Sequence, residues 1–257
     1  KKIFSKVSDY NEYTAVEKQT VAYIRKKYKF TTEANKWLRS EIRKEAKTRV
    51  EDKRTKDPTN EDFKNYFKTV ENLRKNIFIP IILGGGIDNL DIARNFFEKG
   101  ADKISINTAS YEKKDIVNQI ANLYGSQSIS IMLDYKKTDN GINLFSDCGT
   151  KFQNINFDKH LNDIENLSCG EIILNSIDND GNGAGLDFEI LNHIADDFSK
   201  PILLMGGAGK PEHFSEALKT QKISGAITAN LFNFLGSGLN IARKKLIENK
   251  VHVVDFG

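Results

Sequence analysis

Two stretches of this sequence are near-copies of each other: PIILGGGIDN at 80–89 and PILLMGGAGK at 201–210. Each is an apolar run that closes on paired glycines. A run of this kind is typical of a strand covered on both faces in a parallel sheet, and glycine allows a tight turn after the strand. The two copies therefore predict two related β-strand-to-helix units and an α/β fold.

Further units of the same kind surround the two copies. From residue 78 onward, short β-rich runs alternate with amphipathic stretches whose apolar residues recur three or four positions apart. Strands are predicted at 78–83, 103–107, 128–133, 171–176, 201–206 and 225–229. Helices are predicted at 89–100, 113–125, 157–167, 187–198 and 212–220. The predicted fold is a (β/α)8 TIM-barrel-like α/β fold in which six units can be recognised.

One insertion interrupts the alternation. The stretch YKKTDNGINLFSDCGTKF (135–152) alternates apolar and polar residues and contains Asp-Asn-Gly at 139–141. This combination favours a tight turn between two antiparallel strands. We therefore predict a small hairpin that rises above the barrel mouth as a lid.

The beginning of the chain differs from the rest. Residues 1–77 are highly charged and helix-like, and they contain no convincing buried strand. We predict two regions: a helix-rich charged segment at 1–77 that replaces or covers the first barrel units, and a phosphate-binding barrel region at 78–257. The last predicted helix of the first region is NEDFKNYFKTVENLRKN, at 60–76.

Composition limits the classes of function. The 257 residues include 38 Lys and Arg against 35 Asp and Glu, a formal charge of +3, which gives no bulk electrostatic case for a nucleic-acid or membrane partner. No apolar run reaches the ~20 residues that a membrane span needs. The two cysteines and four histidines show no ligand spacing, so we expect no metal and no cofactor. A cytoplasmic location is expected.

The glycines of the two copies predict anion sites. Ligands of parallel α/β folds bind at the carboxyl ends of the strands, where glycine lets backbone N–H groups approach an anion. Polar strand ends follow each copy, INTAS at 106–110 and ITANL at 227–231. Two such sites predict a small-molecule ligand with a phosphate at each end. The alternative is that the glycines only make tight turns.

Two carboxylates are candidates for acid–base chemistry. Asp134 closes the apolar strand SISIML, and Asp180 lies in the loop that follows EIILNS. An acid at the carboxyl end of a strand, partly desolvated in a barrel mouth, is suited to proton transfer. For Asp180, the alternative is a turn residue in a loop rich in Gly and Asn.

Five motifs carry a family resemblance: IPIILGGGI, GADKISINTAS, YGSQSISIMLDYKK, GEIILNSIDNDGNGAG and LLMGGAGKPEHF. In this order they closely resemble the cyclase subunit of imidazole glycerol phosphate synthase, a (β/α)8 barrel of histidine biosynthesis. The resemblance covers residues 79 to about 250, and a helix fit extends it to near residue 60. It implies a substrate phosphorylated at both ends and a glutaminase partner whose ammonia passes through the barrel to the substrate.

The resemblance also assigns roles to individual residues. Asp134 matches the family's acid–base aspartate on the fifth strand. Substrate and phosphate contacts are implied for Gly85, Gly86, Asn107, Thr108, Asp180, Gly181, Gly206, Gly207, Ala229 and Asn230. Lys103 and Glu171 match members of a charged gate at the opposite end of the barrel, and Asp102 matches a residue that faces the glutaminase.

Some family features are not found. The first strand's essential aspartate, the loop lysine after it and the second strand's gate carboxylate have no match in residues 1–77, and Met205 and Asn230 stand where the family usually has serine. Either the N-terminal segment covers or replaces the missing strands, or the chain is a fragment or is rearranged. Two alternatives to the cyclase remain: a paralogue that delivers ammonia for amidation of a surface-polysaccharide sugar, and a catalytically impaired scaffold that docks a glutaminase.

Overall fold

A computed structural model describes residues 60–76, 78–229 and 238–253. The α-helices are α1 (Asn60–Arg74), α2 (Leu90–Glu98), α3 (Thr108–Glu112), α4 (Lys114–Tyr124), α5 (Phe157–Glu165), α6 (Pro211–Lys219) and α7 (Gly238–Glu248). The strands are β1 (Ile82–Gly84), β2 (Lys103–Ile106), β3 (Ile129–Thr138), β4 (Gly141–Ser146), β5 (Lys151–Gln153), β6 (Glu171–Ser176), β7 (Ile202–Met205) and β8 (Gly225–Ile227). Short 3₁₀ helices occupy Ser126–Ser128 and Glu189–His193.

Six parallel strands form a curled sheet in the order β1-β2-β3-β6-β7-β8. The order follows the chain, as in a barrel built from successive βα units. The six predicted strands and the barrel-like α/β fold are therefore confirmed, and the described part of the chain forms an arc of the barrel.

The predicted hairpin is also confirmed. β4 pairs antiparallel with β3, with Thr138 opposite Gly141 across a two-residue turn. A third strand, β5, pairs antiparallel with β4, which the sequence did not predict. β3 is ten residues long because it continues past the parallel sheet into this hairpin.

The register of the strands divides the sheet into two faces, since successive side chains point to opposite sides. The outer face carries aliphatic side chains that are 7% exposed or less: Leu83, Ile104, Ile106, Ile129, Ile131, Leu133, Ile172, Leu174, Ile202 and Leu204. Burial of each is worth about 1.5–3 kcal/mol, so this layer under the helices is the main core. The inner face carries Gly84, Lys103, Ser105, Ser130, Met132, Asp134, Glu171, Ile173, Asn175, Leu203, Met205 and Ile227.

Helix α1 confirms the helix predicted at 60–76, and it packs on the same core. The ring of Phe67 meets that of Phe96 edge-on at 5.1 Å between centroids, and Val70 is buried. Ion pairs join Glu71 to Lys99 and Arg74 to Asp102. This helix therefore belongs to the barrel region. The proposed role of residues 1–59 lies outside the described residues.

Two sequence-based predictions were wrong in detail. The first strand begins at Ile82 rather than at residue 78, because Pro80 has no N–H to donate to a neighbouring strand. The helix predicted at 187–198 is a single 3₁₀ turn, Glu189–His193, and Ile194 is already extended. The side chain of Asp187 accepts the N–H of Glu189 at 3.2 Å, a local bond that competes with a regular helix start.

Candidate functional site

Asp134 lies on the inner face, at the last rungs of the parallel sheet. It stands opposite Asn175 of β6 on one side and Phe145 of the hairpin on the other. Its side chain is 7% exposed. The sequence placed an acid at this strand end, and the sheet surrounds it with neighbouring strands.

Two amide side chains hold the Asp134 carboxylate. Asn175 donates from Nδ2 to Oδ1 at 2.6 Å, and Asn107, just after β2, donates from Nδ2 to Oδ2 at 3.1 Å. The Asn107 amide also reaches the carbonyl oxygen of Phe145 at 3.4 Å. Hydrogen bonds from neutral amides favour the ionised form of a carboxylate and fix its orientation. The two amides thus fix the orientation of the Asp134 carboxylate.

The amide oxygens of these two asparagines are buried acceptors. Neither Asn107 Oδ1 nor Asn175 Oδ1 has a hydrogen-bond partner among the described residues. A buried acceptor without a partner costs about 1–3 kcal/mol. The site therefore offers acceptors to a ligand that carries N–H or O–H groups. Sequence analysis linked Asn107 to phosphate binding, whereas here its amide hydrogen is directed at Asp134.

The first glycine turn follows β1 and is exposed. Gly85 and Gly86 have φ values of 117° and 66°, which side-chain-bearing residues rarely adopt. A Cβ on Gly85 would have no neighbour within 4 Å. The backbone at this turn is therefore open to solvent or to a ligand.

The second glycine turn follows β7 and is buried. Gly206 and Gly207 have φ values of 93° and 104°, and a Cβ on either residue would overlap the loop after β6, at the carbonyl oxygens of Ser176 and Gly185 respectively. The N–H of Gly185 also donates to the carbonyl oxygen of Gly207 at 3.0 Å. Close backbone contact with this loop requires glycine here.

Thr108 lies at the start of α3, but its hydroxyl is engaged. It donates to Oδ1 of Asp147, in the β4–β5 loop, at 3.0 Å. Asp147 and Cys148 both have positive φ, 49° and 58°, so the tip of this loop turns sharply beside Thr108. A carboxylate from the hairpin thus occupies a donor that the resemblance assigned to phosphate.

The other predicted substrate residues lie in loops. The backbone N–H of Asp180 donates to the carbonyl oxygen of Ser176 at 2.9 Å, its side chain is exposed, and Gly181 has a φ of 77°. This geometry fits both a substrate loop and the turn that the sequence left open. Ala229 is exposed just after β8, and Asn230 lies outside the described residues.

The residues of the predicted gate meet at the opposite end of the inner face. Lys103 and Glu171, the first residues of β2 and β6, form an ion pair at 2.7 Å. Ser130 donates to the other oxygen of Glu171 at 2.5 Å. Glu171 lies four residues before the level of Asp134, about 13 Å along the strand.

The Asp102 carboxylate is held by contacts within the fold. Its carboxylate accepts from the backbone N–H of Ile81 at 2.8 Å and from the Arg74 guanidinium at 2.9 Å. The N–H of Ile81 and the guanidinium of Arg74 hold the pKa of the Asp102 carboxyl below its usual value. Its side chain remains 36% exposed. Asp102 therefore ties α1 to β1 and is still accessible at the end where the gate lies.

Sequence analysis missed a charged network on the outer side of the mouth. Asp187, 6% exposed, accepts from the Tyr135 hydroxyl at 3.0 Å and from Lys137 at 2.8 Å. Partial burial alone lowers the pKa of Lys137, but hydrogen bonds to Asp187 and Glu189 raise it overall. The network fastens the loop after β6 to the base of the hairpin. The sequence pattern Tyr-x-Lys after Asp134 does not indicate that these two side chains bind Asp187, about fifty residues further along the chain.

A buried aromatic pair supports α3. The rings of Tyr111 and His160 stack at 4.3 Å between centroids, and His160 is fully buried. Burial, with a smaller effect from Lys114, lowers the pKa of His160 to about 4. Burial and the negative charge of Asp134 raise the pKa of Tyr111. His160 therefore has a packing role.

The described residues contain no group of three or more His, Cys, Asp or Glu side chains placed to hold a metal ion. No helix within them is long and apolar enough to cross a membrane.

The curled parallel sheet, with a buried carboxylate at its carboxyl edge, defines a barrel-type α/β protein with a candidate active site at the strand ends. Residues 57–236 match the model of the family described as histidine biosynthesis protein. The chain belongs to this family, which confirms the resemblance seen in the motifs.

Named relatives agree with this assignment. The chain is 36% identical over 193 residues to imidazole glycerol phosphate synthase subunit HisF of Natranaerobius thermophilus, covering 75% of this chain and 77% of the relative. It is 36% identical over 180 residues to the HisF subunit of Hydrogenobaculum sp., covering 70% and 71%. A Parasynechococcus marenigrum protein, named as the synthase subunit hisF2, is 36% identical over 184 residues, covering 72% and 68%.

Proposed function

We propose that this chain performs the cyclase reaction of imidazole glycerol phosphate synthase, with Asp134 as its acid–base group. The observation that carries the proposal is the Asp134 carboxylate, buried on the inner face and oriented by Asn107 and Asn175. The substrate is a bisphosphorylated aminoimidazole ribonucleotide. Ammonia condenses with it with loss of water, and the adduct is cleaved and cyclised to imidazole glycerol phosphate with release of an aminoimidazole carboxamide ribonucleotide.

The positions of the two glycine turns support a ligand that spans the mouth. β1 and β7 are four strand spacings apart in the sheet order, about 19 Å along its curve at ~4.8 Å per spacing. The straight distance is shorter because the sheet curls. In this proposal, Gly85 and Gly86 bind one phosphate and Gly206 and Gly207 bind the other, with Asp134 on a strand between them.

The far end of the inner face supports an ammonia route. Lys103 and Glu171 form a partly buried ion pair there, on the face that carries Asp134. In the proposal, opening this pair admits ammonia from a glutaminase partner docked near Asp102.

The decisive experiment measures ammonia-dependent turnover of the bisphosphorylated substrate by the wild type and by Asp134→Asn. We expect kcat to fall by about 10²–10⁴, the usual contribution of an acid–base group. Asp139→Asn, at the exposed hairpin turn, is the matched control and should retain turnover. Equal turnover in Asp134→Asn and the wild type would contradict the proposal. No turnover in the wild type, with glutaminase binding intact, would favour the scaffold alternative.

A further inference from the structure

The environment of Asn175 points to a role beyond packing. Asn175 faces Asp134 directly across β3 and β6, and its amide donates to Oδ1 at 2.6 Å. Asn107 donates to the other oxygen at 3.1 Å, a longer contact that it shares with the carbonyl oxygen of Phe145. Of these two asparagines, Asn175 therefore makes the shorter bond to the carboxylate.

The other end of the Asn175 amide faces the second glycine turn. Its Oδ1 is buried without a hydrogen-bond partner among the described residues, and it lies 3.2 Å from the position that a Cβ on Gly206 would occupy. Any side chain at position 206 would therefore crowd the amide. One amide group thus binds the carboxylate with its nitrogen and places its oxygen beside the turn assigned to the second phosphate.

We propose that Asn175 is a positioning residue that holds Asp134 ionised and oriented, and that couples this carboxylate to the occupancy of the second glycine turn. The inference rests on the proposed acid–base role of Asp134. A ligand seated at Gly206 and Gly207 presses on the amide oxygen or donates to it. Either interaction fixes the amide plane, and with it the N–H that points at Asp134.

Other charged groups near Asp134 come from separate elements. From α3, Tyr111 interacts electrostatically with Asp134, and its buried hydroxyl has no hydrogen-bond partner among the described residues. Along β3, Lys136 lies two residues further on, and its ammonium sits 5.0 Å from the centre of the Phe145 ring. The Lys103–Glu171 pair is about 13 Å away.

The test follows the ionisation of Asp134 directly, by a carboxyl-carbon NMR titration of the protein without substrate, assigned with Asp134→Asn. Asn175→Leu keeps the approximate volume and removes the donor. We expect the titration midpoint of Asp134 to move up by about one pH unit, because the charged form loses a hydrogen bond. Asn175→Asp should move it further, since two adjacent carboxylates cannot both ionise easily.

Leu174→Val, one residue earlier on the outer face, is the control. It removes buried volume without touching Asp134, so the midpoint should stay at the wild-type value even though stability falls. Unchanged midpoints in folded Asn175→Leu and Asn175→Asp would overturn the inference. If Asn175→Leu does not fold, Asn175→Asp alone decides, because its amide-to-carboxyl change is nearly isosteric.

Coupling to the second turn needs a second measurement. Inorganic phosphate should shift the Asn175 side-chain amide signals in the wild type. If Asn107 shares the role, the shift in Asn107→Ala should be reduced by more than any loss of phosphate affinity explains. Wild-type signals that stay fixed while the Gly207 amide responds to phosphate would overturn the coupling. Because neither measurement uses turnover, failure of the cyclase reaction itself would be seen separately.

Discussion

The two glycine turns have near-identical sequences but different surroundings. The turn after β1 is exposed, and a side chain at Gly85 would meet nothing within 4 Å. The turn after β7 is buried, and side chains at Gly206 and Gly207 would overlap the loop after β6. In the first turn, glycine is needed for its backbone conformation. In the second turn, glycine is needed for that conformation and for close packing.

The difference shows that a repeated motif need not play the same structural part twice. The second turn is supported by the loop after β6, which the Asp187 network fastens to the hairpin. Thr108, the polar residue predicted to act with the first turn, is bound instead to Asp147 of the same hairpin. The hairpin therefore supports the second turn, and under the proposed function its Asp147 competes with phosphate for Thr108 near the first turn.

The largest expected effect is a contrast between Gly207→Ala and Gly85→Ala. At Gly207, the new Cβ overlaps the Gly185 carbonyl oxygen, so we expect a loss of at least about 3 kcal/mol in the free energy of unfolding. At Gly85, only the positive φ is unfavourable, at about 1–2 kcal/mol. Urea unfolding measures both. Equal losses would show that the two turns do not differ in packing.

Acid should weaken the packing beneath α3, the helix that begins at Thr108. His160 is buried and neutral, with a folded-state pKa of about 4 against about 6.5 when unfolded. The unfolded state therefore takes up the proton first, and stability falls as pH drops from about 6.5 to 4, by roughly 3 kcal/mol in all.

His160→Phe should flatten this pH dependence, as measured by urea unfolding at pH 7, 5.5 and 4. The exposed His193, changed to Gln, is the matched control and should leave the slope unchanged. A slope that persists in His160→Phe would assign the acid sensitivity to another group.

The support of the second turn should depend on Asp187. In Asp187→Asn, Tyr135 and Lys137 lose their carboxylate partner, and we expect a loss of about 1–2 kcal/mol in the free energy of unfolding. Hydrogen exchange should quicken at the Gly185 N–H, which donates to Gly207. Glu189→Gln changes the exposed partner of Lys137 and should have almost no effect. If hydrogen exchange at Gly185 stays slow in Asp187→Asn, the Asp187 network does not support the turn.

The smallest expected effect concerns competition at the first turn. Asp147→Asn removes a negative charge from beside Thr108, so inorganic phosphate should bind a few-fold more tightly at Gly85 and Gly86. Amide chemical shifts during a phosphate titration measure the affinity. Asp139→Asn, at the hairpin turn, controls for the overall change in charge. Weaker phosphate binding in Asp147→Asn would mean that Asp147 supports the site.

Much of the fold was accessible from sequence, because each buried strand is a local apolar run and each amphipathic helix has a local period. The exceptions have local competitors. Asp187 forms a turn with the N–H of Glu189, so the periodic stretch after it becomes only a 3₁₀ helix. Asp134 could be predicted as an acid at a strand end. Its partner Asn175 could not be predicted, since an Asn-Ser pair at the end of a strand is compatible with many different contacts.

By itself, the sequence determined the six parallel strands, the hairpin at 139–141, the glycine positions and the acid Asp134. Those features depend on backbone conformation and on burial patterns, and both are determined by residues that are neighbours in the sequence. Only the tertiary structure decided that Asn175, 41 residues from Asp134, orients its carboxylate, and that one glycine turn is packed while its copy is open. The physical reason is that hydrogen bonds and close contacts between strands depend on register and sheet order, which no single stretch of chain specifies.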